Sequence, residues 1–366
     1  MDALMLPLNW QKVRLGDICE IVKGQQINKI SLNNTDKYPV INGGIDFLGY
    51  TNKFNVSKNT IAISEGGTCG YVRFMTSNFW SGGHNYSLQK ISNKVNNLCL
   101  YHILKSYEKD IMKLGVGSGL KNIQLKALKD FEIPLPPLNE QIAIANILSG
   151  LDRYLYALDA LILKKEGVKK ALSFELLSQR KRLKGFNQAW QKVRLGDICE
   201  IVKGQQINKI SLNNTDKYPV INGGIDFLGY TNKFNVSKNT IAISEGGTCG
   251  YVRFMTSNFW SGGHNYSLQK ISNKVNNLCL YHILKSYEKD IMKLGVGSGL
   301  KNIQLKALKD FEIPLPPLNE QIAIANILSA LDNEITSLKN KKRQFENIKK
   351  ALNHNLMSAK IRVLEK

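Results

Sequence analysis

The segment Phe131-Glu-Ile-Pro-Leu-Pro-Pro-Leu-Asn-Glu-Gln-Ile-Ala-Ile-Ala-Asn-Ile-Leu-Ser149 decides the fold, and it recurs unchanged as Phe311–Ser329. Its first five residues predict a strand, and the Pro136-Pro137 pair that follows suits the first turn of a helix. From Ile144 onwards apolar residues recur at spacings of 4, 3, 4 and 3, which is the a/d pattern of a coiled coil. Each copy therefore predicts a strand that leads into a long helix.

The repeat extends far beyond this segment. Trp10–Ser149 recurs without a change as Trp190–Ser329, at an offset of 180 residues. A unit of 140 residues is long enough to bury its own core, so we predict two identical domains. Within the first copy, strands are predicted at Thr60–Ser64, Gly70–Phe74, Asn85–Lys90 and Phe131–Leu135, and helices at Val95–Leu114 and Ile123–Leu128.

The segments that follow the two repeats have diverged in identity but keep their apolar positions in register. They predict long helices from Leu138 to Arg182, with Gly185 as the stop, and from Leu318 to Lys360. A single apolar stripe has to be buried, so we predict that the helices pair antiparallel within the chain, with pairing to another chain as the alternative. Lys165 and Lys342 interrupt this seam. The predicted packing positions are Leu148, Leu151, Leu155, Leu158, Leu172, Leu328, Leu331, Ile335, Leu338 and Leu352.

The predicted fold class is α+β, with two mixed α/β domains separated by two long antiparallel helices. The first helix would span roughly 65 Å at 1.5 Å per residue, and the chain would be pseudo-two-fold symmetric. The predicted divisions are 1–136 and 187–316 for the domains, and 137–186 and 317–366 for the helices.

Composition narrows the class of partner. The net charge is +21, from 50 Lys and Arg against 29 Asp and Glu, which favours a polyanion as ligand. The sequence contains no run of 18 apolar residues, so no membrane span is predicted, and residues 1–10 lack the basic start of a signal peptide. The six cysteines show no CxxC spacing and are interpreted as reduced thiols. We therefore expect a cytoplasmic protein.

Motifs for chemistry are missing from the sequence. There is no GxxxxGK[ST] loop, no GxGxxG after a strand, and no Asn/Asp-Pro-Pro-aromatic segment of an amino-methyltransferase. The five histidines form no metal-spaced pair. We predict no catalytic residue, no metal site and no cofactor bound by this chain itself.

Four polar, glycine-rich loops in each repeat are the candidate binding elements: residues 23–26, 42–44, 81–85 and 115–122 in the first copy. Glycine lets a backbone approach DNA closely, and amide and basic side chains contact base edges and phosphates. For any one loop, a plain turn is the alternative. The predicted DNA contacts are Lys23, Gln25, Gln26, Asn42, Ser64, Tyr71, His84, Asn85, Ser118, Lys121 and Asn122, with their counterparts Lys203, Gln205, Gln206, Asn222, Ser244, Tyr251, His264, Asn265, Ser298, Lys301 and Asn302.

The Pro-Leu-Pro-Pro-Leu-Asn-Glu-Gln segment, present twice at domain spacing, is similar to the start of the conserved helix in specificity subunits of type I restriction–modification systems. Trp10–Cys19 and Ile63–Tyr71 also resemble the target-recognition domains of that family. The resemblance implies a non-catalytic subunit that binds double-stranded DNA. It also implies two methyltransferase subunits and a motor-nuclease as partners, which would carry S-adenosylmethionine and ATP.

Family members usually carry two different recognition domains, whereas these two are identical. Identical readers related by a two-fold axis prefer inverted half-sites, so the expected target is an interrupted palindrome whose unread gap is set by the helices. Two alternatives stay open at this point. One is a non-catalytic adaptor for another nucleic acid, and the other is a stand-alone DNA-modifying enzyme, which the missing cofactor motifs disfavour.

Overall fold

A computed structural model describes residues 9–363. Residues 1–8 and 364–366 lie outside the described residues, and so does most of the segment 1–10 on which the absence of a signal peptide was predicted. Two compact units make up the fold: one runs to Asp159 and resumes at Asn340, and the other is Ala160–Lys339. Each unit holds one repeat and part of both long helices, so the bounds of the units differ from the four divisions predicted from the sequence.

The first repeat forms short strands and helices that lead into one long helix, with a 3-10 turn at Lys29–Ser31. The elements are β1 (Gln11–Arg14), α1 (Leu15–Ile18), β2 (Glu20–Lys23), β3 (Tyr38–Ile41), β4 (Gly49–Thr51), β5 (Thr60–Ser64), β6 (Val72–Met75), β7 (Trp80–Ser81), β8 (Asn85–Gln89), α2 (Asn97–Ser106), α3 (Glu108–Lys113), β9 (Gly115–Val116), β10 (Asn122–Ile123), α4 (Leu125–Lys129), β11 (Glu132–Leu135) and α5 (Leu138–Leu177).

Two small sheets build the body of this repeat. One is antiparallel with strand order β2-β8-β5-β6, and the other has order β4-β3-β7, in which β3 and β7 run parallel. Strands β1 and β11 form a separate antiparallel pair that brings the start of the repeat beside the start of α5. The main core lies between the four-stranded sheet and α2, with Ile61, Leu88 and Ile103 almost fully buried.

The second repeat forms the same elements, with a 3-10 turn at Lys209–Ser211. They are β12 (Gln191–Arg194), α6 (Leu195–Ile198), β13 (Glu200–Lys203), β14 (Tyr218–Ile221), β15 (Gly229–Thr231), β16 (Thr240–Ser244), β17 (Val252–Met255), β18 (Trp260–Ser261), β19 (Asn265–Gln269), α7 (Asn277–Ser286), α8 (Glu288–Lys293), β20 (Gly295–Val296), β21 (Asn302–Ile303), α9 (Leu305–Lys309), β22 (Glu312–Leu315) and α10 (Leu318–Met357).

The predicted helix Val95–Leu114 is wrong as a single element. The chain leaves helical geometry at Tyr107, where ψ is 9°, and α3 begins at Glu108. The Glu108 carboxylate accepts the backbone N–H of Val72 at 2.8 Å and lies 2.5 Å from Lys105 Nζ. These contacts tie the start of α3 to β6, which explains why the helix is not continuous.

The short helix predicted at Ile123–Leu128 begins later, at Leu125. Ile123 belongs to β10, which pairs with β9, and its N–H also donates to the carbonyl of Glu65 at 2.9 Å. The strand predicted at Gly70–Phe74 is likewise displaced, to Val72–Met75. The hydrogen bond of Ile123 to Glu65 explains why the helix does not include Ile123.

The two long helices are confirmed, and each contains 40 residues, or about 60 Å. They end earlier than predicted, because the backbone turns left-handed at Gln179 (φ 61°) and at Ala359 (φ 54°). Gly185, the predicted stop, lies eight residues beyond the end of α5. Within residues 9–363 no helix is both long and apolar enough to span a membrane.

Within the first unit, the start of α5 packs antiparallel against the end of α10. Asp152 pairs with Lys349, Asp159 pairs with Lys342 at 2.6 Å, and the Tyr154 ring lies 4.7 Å from that of Phe345. Rising numbers on α5 meet falling numbers on α10, which defines the antiparallel direction. Lys342, which interrupts the apolar seam of α10, thus forms an ion pair with Asp159 on the facing helix α5.

The second unit repeats this arrangement with the other halves of the same helices. Lys165 pairs with Glu334 at 2.9 Å, and Lys169 pairs with Asp332. Lys165, which interrupts the apolar seam of α5, thus has an acidic partner on α10.

None of the ten predicted packing positions is exposed, and Leu148 and Leu328 are fully buried.

The Glu-Gln pair at the start of each long helix attaches that helix to its domain. Glu140 is 2% exposed, and its carboxylate accepts Trp10 Nε1 at 3.1 Å and Arg362 Nε at 2.7 Å. Gln141 accepts the backbone N–H of Asn96 and donates to the carbonyl of Pro136, both at 2.7 Å. Two buried polar side chains therefore fix the direction in which α5 leaves the repeat.

A buried histidine joins α2 to α5 and predicts pH-dependent stability. His102 Nε2 lies 3.2 Å from Ser149 Oγ, and burial lowers the pKa of His102 to about 4, as it does for His282. The unfolded chain binds more protons between about pH 6.5 and 4, so stability is present above pH 6.5 and is lost as pH falls. We expect each histidine to remove up to about 3 kcal/mol from the free energy of unfolding at pH 4.

The measurement is urea unfolding at pH 7, 5 and 4 for the parent and for a variant carrying His102→Gln and His282→Gln. The variant should lose less stability on acidification than the parent, because glutamine does not titrate. An identical pH slope in both proteins would show that other groups cause the acid sensitivity.

Candidate nucleic-acid interface

Strand ends bring the four predicted loops, and a fifth at residues 65–71, to one place in each repeat. The N–H of Gly24 donates to the carbonyl of Asn85 at 2.9 Å, and Gly82 donates to Ile41 at 2.8 Å. Thr68 donates to the carbonyl of Gly43 at 2.7 Å. The loops are therefore bonded to one another by backbone hydrogen bonds, and we call the result the five-loop surface (residues 23–26, 42–48, 65–71, 81–85 and 115–123).

Glycine is required at two of these crossings. A Cβ at Gly24 would lie 2.1 Å from the carbonyl oxygen of Gly82, which no side chain tolerates. Gly43 has φ +85°, and a Cβ there would lie 2.5 Å from the carbonyl oxygen of Gly66. The close approach of loop to loop explains why the polar loops of this repeat are rich in glycine.

A buried acid lies at the centre of the five-loop surface. Glu65 is 8% exposed, and its Oε1 lies 2.7 Å from Lys23 Nζ and 3.3 Å from the hydroxyl of Tyr86. Burial, followed by the neighbouring charge of Glu65, raises the pKa of Tyr86 to about 12. The tyrosine therefore keeps its proton, which it donates to the carbonyl of Ile123 at 2.9 Å, with Glu65 Oε1 as the more distant acceptor.

Most of the predicted contact residues lie on this surface with their side chains in solvent. Asn42 is half-buried, and its Oδ1 accepts the backbone N–H of His84 at 3.0 Å. The second repeat shows the same placement at each equivalent position. The exposed residues are Lys23, Gln25, Gln26, His84, Ser118, Lys121 and Asn122, with Lys203, Gln205, Gln206, His264, Ser298, Lys301 and Asn302.

Ser64 and Asn85, and their counterparts Ser244 and Asn265, require a correction. Each is 1% exposed, and the Ser64 hydroxyl faces the Asn85 side-chain oxygen at 3.4 Å. These residues lie opposite each other on β5 and β8, inside the sheet. Burial therefore removes them from the set that can touch a ligand.

Tyr71 is half-buried, and its ring is occupied by cations of the protein itself. Lys105 Nζ lies 4.2 Å from the ring centroid and the Arg73 guanidinium lies 5.0 Å from it. Tyr251 has the same surroundings in the second repeat. The tyrosine therefore holds neighbouring side chains in place, whatever it contributes to binding.

Three further residues shape the surface and were not predicted from the sequence. Glu65 forms its centre, and Trp80 Nε1 donates to the carbonyl of Gln25 at 2.9 Å. Arg73 Nη2 donates to the carbonyls of Gly44 at 2.5 Å and Ile45 at 2.7 Å, which secures the loop after β3. A lone acid directly before Gly66-Gly67 was a usable signal for Glu65, but nothing local marks the other two.

Among residues 9–363 no group of three or more histidine, cysteine and acidic side chains could hold a metal ion. Burial raises the pKa of Cys19 and of Cys99 to about 12, so these thiols stay protonated. The chemistry that the five-loop surface offers is hydrogen bonding and positive charge.

Comparison with known protein families identifies this architecture. The model of the type I restriction modification DNA specificity domain matches the chain twice, at residues 7–165 and 187–347. The chain belongs to the type I specificity family. Each match spans one repeat and more than half of the long helix that follows it, to residue 165 in α5 and residue 347 in α10.

Individual members of the type I specificity family align along nearly the whole chain. A Mycoplasma genitalium protein assigned as a type I specificity subunit is 30% identical over 91% of this chain and 89% of its own length. The type I restriction enzyme MjaVIII specificity subunit of Methanocaldococcus jannaschii is 25% identical over 99% and 95%. The crystal structure of a type I restriction–modification S subunit from M. genitalium has a TM-score of 0.82 at 28% identity, covering 96% of this chain and 98% of that one.

Proposed function

We propose that this chain is the non-catalytic DNA-recognition subunit of a type I restriction–modification complex. One observation carries the proposal: in each repeat, five loops are hydrogen-bonded into one surface that presents amide and basic side chains around the buried Glu65. Amides read adenine edges and cations contact phosphates in DNA recognition. Because the two repeats are identical, each surface would read the same half-site, and the preferred target would be an interrupted palindrome.

We also propose that the subunit works with partners that supply the chemistry. Two methyltransferase subunits would bind S-adenosylmethionine, and a motor-nuclease would bind ATP, while this chain binds neither. A cofactor-binding assay on the purified chain addresses the alternative of a stand-alone enzyme. Saturable binding of S-adenosylmethionine by this chain alone would contradict the assignment.

Affinity for DNA should depend steeply on salt, because a chain of net charge +21 releases many counterions on binding. With roughly 6–10 phosphate contacts, the slope of log affinity against log salt should be about −0.9 per contact. The measurement is fluorescence anisotropy on duplex DNA over a salt series, with structured RNA as competitor. A flat salt dependence, or RNA competing better than duplex DNA, would favour the adaptor alternative instead.

The lengths of α5 and α10 should set the unread gap between half-sites. Inserting one heptad into each helix keeps its a/d seam facing the partner, and adds about 10 Å or roughly three base pairs. The half-sites should stay the same while the gap grows. Because three base pairs also rotate the second half-site by roughly a quarter to a third of a turn, the extended chain should either bind more weakly or bend or twist the DNA to compensate.

Sites for the parent and the extended chain are selected in parallel from a random duplex pool, with the methyltransferase present. If the gap stays constant while the half-sites change, the helices do not set the spacing.

A further inference from the structure

The hairpin formed by β9 and β10 carries an apolar side chain, Leu120, that is exposed to solvent. Its tip is Gly117-Ser-Gly-Leu-Lys121, and Leu120 is 81% exposed at the end of it. Leu300, the equivalent residue of the second repeat, is 82% exposed. Removal of an apolar side chain from water is favourable, so a ligand that covers this leucine would be bound more tightly.

The base of this hairpin is firmly held on the five-loop surface. Ile123 is fully buried, donates its N–H to Glu65 and accepts the hydroxyl of Tyr86, both at 2.9 Å. Asn122 pairs with Val116 across the hairpin. The tip therefore projects from the surface that holds Gln25 and Lys23, on an attachment whose hydrogen bonds fix its direction.

The tip itself is narrow and bordered by polar groups. A Cβ at Gly119 would meet nothing within 4 Å, and Gly117 has φ +134°, a conformation that favours glycine. Ser118 and Lys121 on either side of the leucine are exposed. A cation and a hydroxyl that flank one apolar side chain suit a groove with phosphates at its walls and stacked bases at its floor.

We propose that Leu120 and Leu300 are apolar wedges that insert at a base step in each half-site and partly unstack it. The inference rests on the proposed DNA-recognition function and adds a role that base-edge hydrogen bonding does not supply. Apolar side chains inserted between base steps unstack and bend the duplex, and flexible pyrimidine–purine steps yield most easily. The wedge would therefore favour such a step without any hydrogen bond to its bases.

The test uses the complex of this chain with its methyltransferase on its selected duplex, with 2-aminopurine replacing each purine in turn. Unstacking raises 2-aminopurine fluorescence, so one step per half-site should brighten on binding. A variant with Leu120→Ala and Leu300→Ala should lose this signal and bind about tenfold more weakly. Ile30→Ala with Ile210→Ala is the matched control, because it truncates an apolar side chain that is 92% exposed in the first repeat but lies outside the five-loop surface, and it should keep the signal.

Each outcome bears on the proposal in one direction. An adenine turned out for methylation would brighten in parent and leucine variant alike, so only a signal lost in the leucine variant supports the wedge. If that variant keeps every signal, the wedge is overturned. It is also overturned if replacing one thymine by uracil abolishes the leucine effect, because Leu120 then contacts a methyl group. If the parent complex shows no sequence-specific DNA binding, the proposed function itself fails.

Discussion

Replacing Gln25 and Gln26 by alanine, together with their counterparts Gln205 and Gln206, should relax sequence preference. The expected loss of discrimination is about 1–3 kcal/mol for each bidentate amide–base pair that is removed. Both side chains are exposed, while the loop is held in position by the backbone N–H of Gln25, which donates to the carbonyl of Ser81, and by the indole N–H of Trp80, which donates to the carbonyl of Gln25. An amide on a fixed loop is suited to reading an adenine edge. The measurement is binding to a panel of duplexes that each carry one altered base pair.

Two controls separate base reading from charge attraction. Lys121→Ala with Lys301→Ala removes a charge from the same surface, and it should weaken all duplexes about equally. Gln11→Ala with Gln191→Ala removes an exposed amide from β1 and β12, outside the five-loop surface, and should change nothing. If the Gln25 and Gln26 changes lower affinity without altering preference, this loop binds the sugar–phosphate backbone of the DNA.

Glu140→Ala should lower the free energy of unfolding of the first unit by about 3–5 kcal/mol, which is typical when one partner of a buried ion pair is removed. The carboxylate is 2% exposed and accepts hydrogen bonds from Trp10 and from two nitrogens of Arg362. Without it, the buried indole N–H and the guanidinium lose that partner at the point where α5 joins the repeat. Urea denaturation followed by tryptophan fluorescence measures the loss.

The chain offers both a replicate and a matched control for this prediction. Glu320 accepts Trp190 Nε1 at 3.0 Å and Arg182 Nη2 at 2.6 Å in the second unit, so Glu320→Ala should cost a similar amount. Glu132 pairs with Lys12 at the surface, where its side chain is 41% exposed, and Glu132→Ala should cost under about 1 kcal/mol. Equal losses in the Glu140 and Glu132 variants would contradict the importance of burial.

Several features of the site depended on long-range packing that no local pattern records. The exposed glutamines and Lys121 could be chosen from glycine-rich loops, because such loops lie at surfaces. Asn85 was chosen by the same reasoning and Ser64 was predicted separately, and both proved to be buried because they face each other on paired strands. Glu65 was overlooked because its partners, Lys23 and Tyr86, lie 42 and 21 positions away along the chain.

The long-range pairing also decided where elements end. Tyr107 interrupts a run with good helical periodicity because Glu108 is bonded to β6, and Ile123 is a strand residue because it bonds to Glu65. Both effects come from hydrogen bonds between distant parts of the chain. Local propensity is a weak term beside such tertiary interactions, so patterns of ten to twenty residues could not predict these boundaries.

The amino-acid sequence alone was sufficient for two identical domains and two long helices. An unchanged repeat is found by comparing the sequence with itself, and a 4-3 apolar spacing is complete within a short stretch of chain. It also placed the start of each helix at its Pro-Pro pair, which local backbone geometry determines. Only the tertiary structure brought five separate loops into one surface around Glu65. That surface exists because the sheets align strand ends from distant positions, and a buried acid needs donors that only the folded chain supplies.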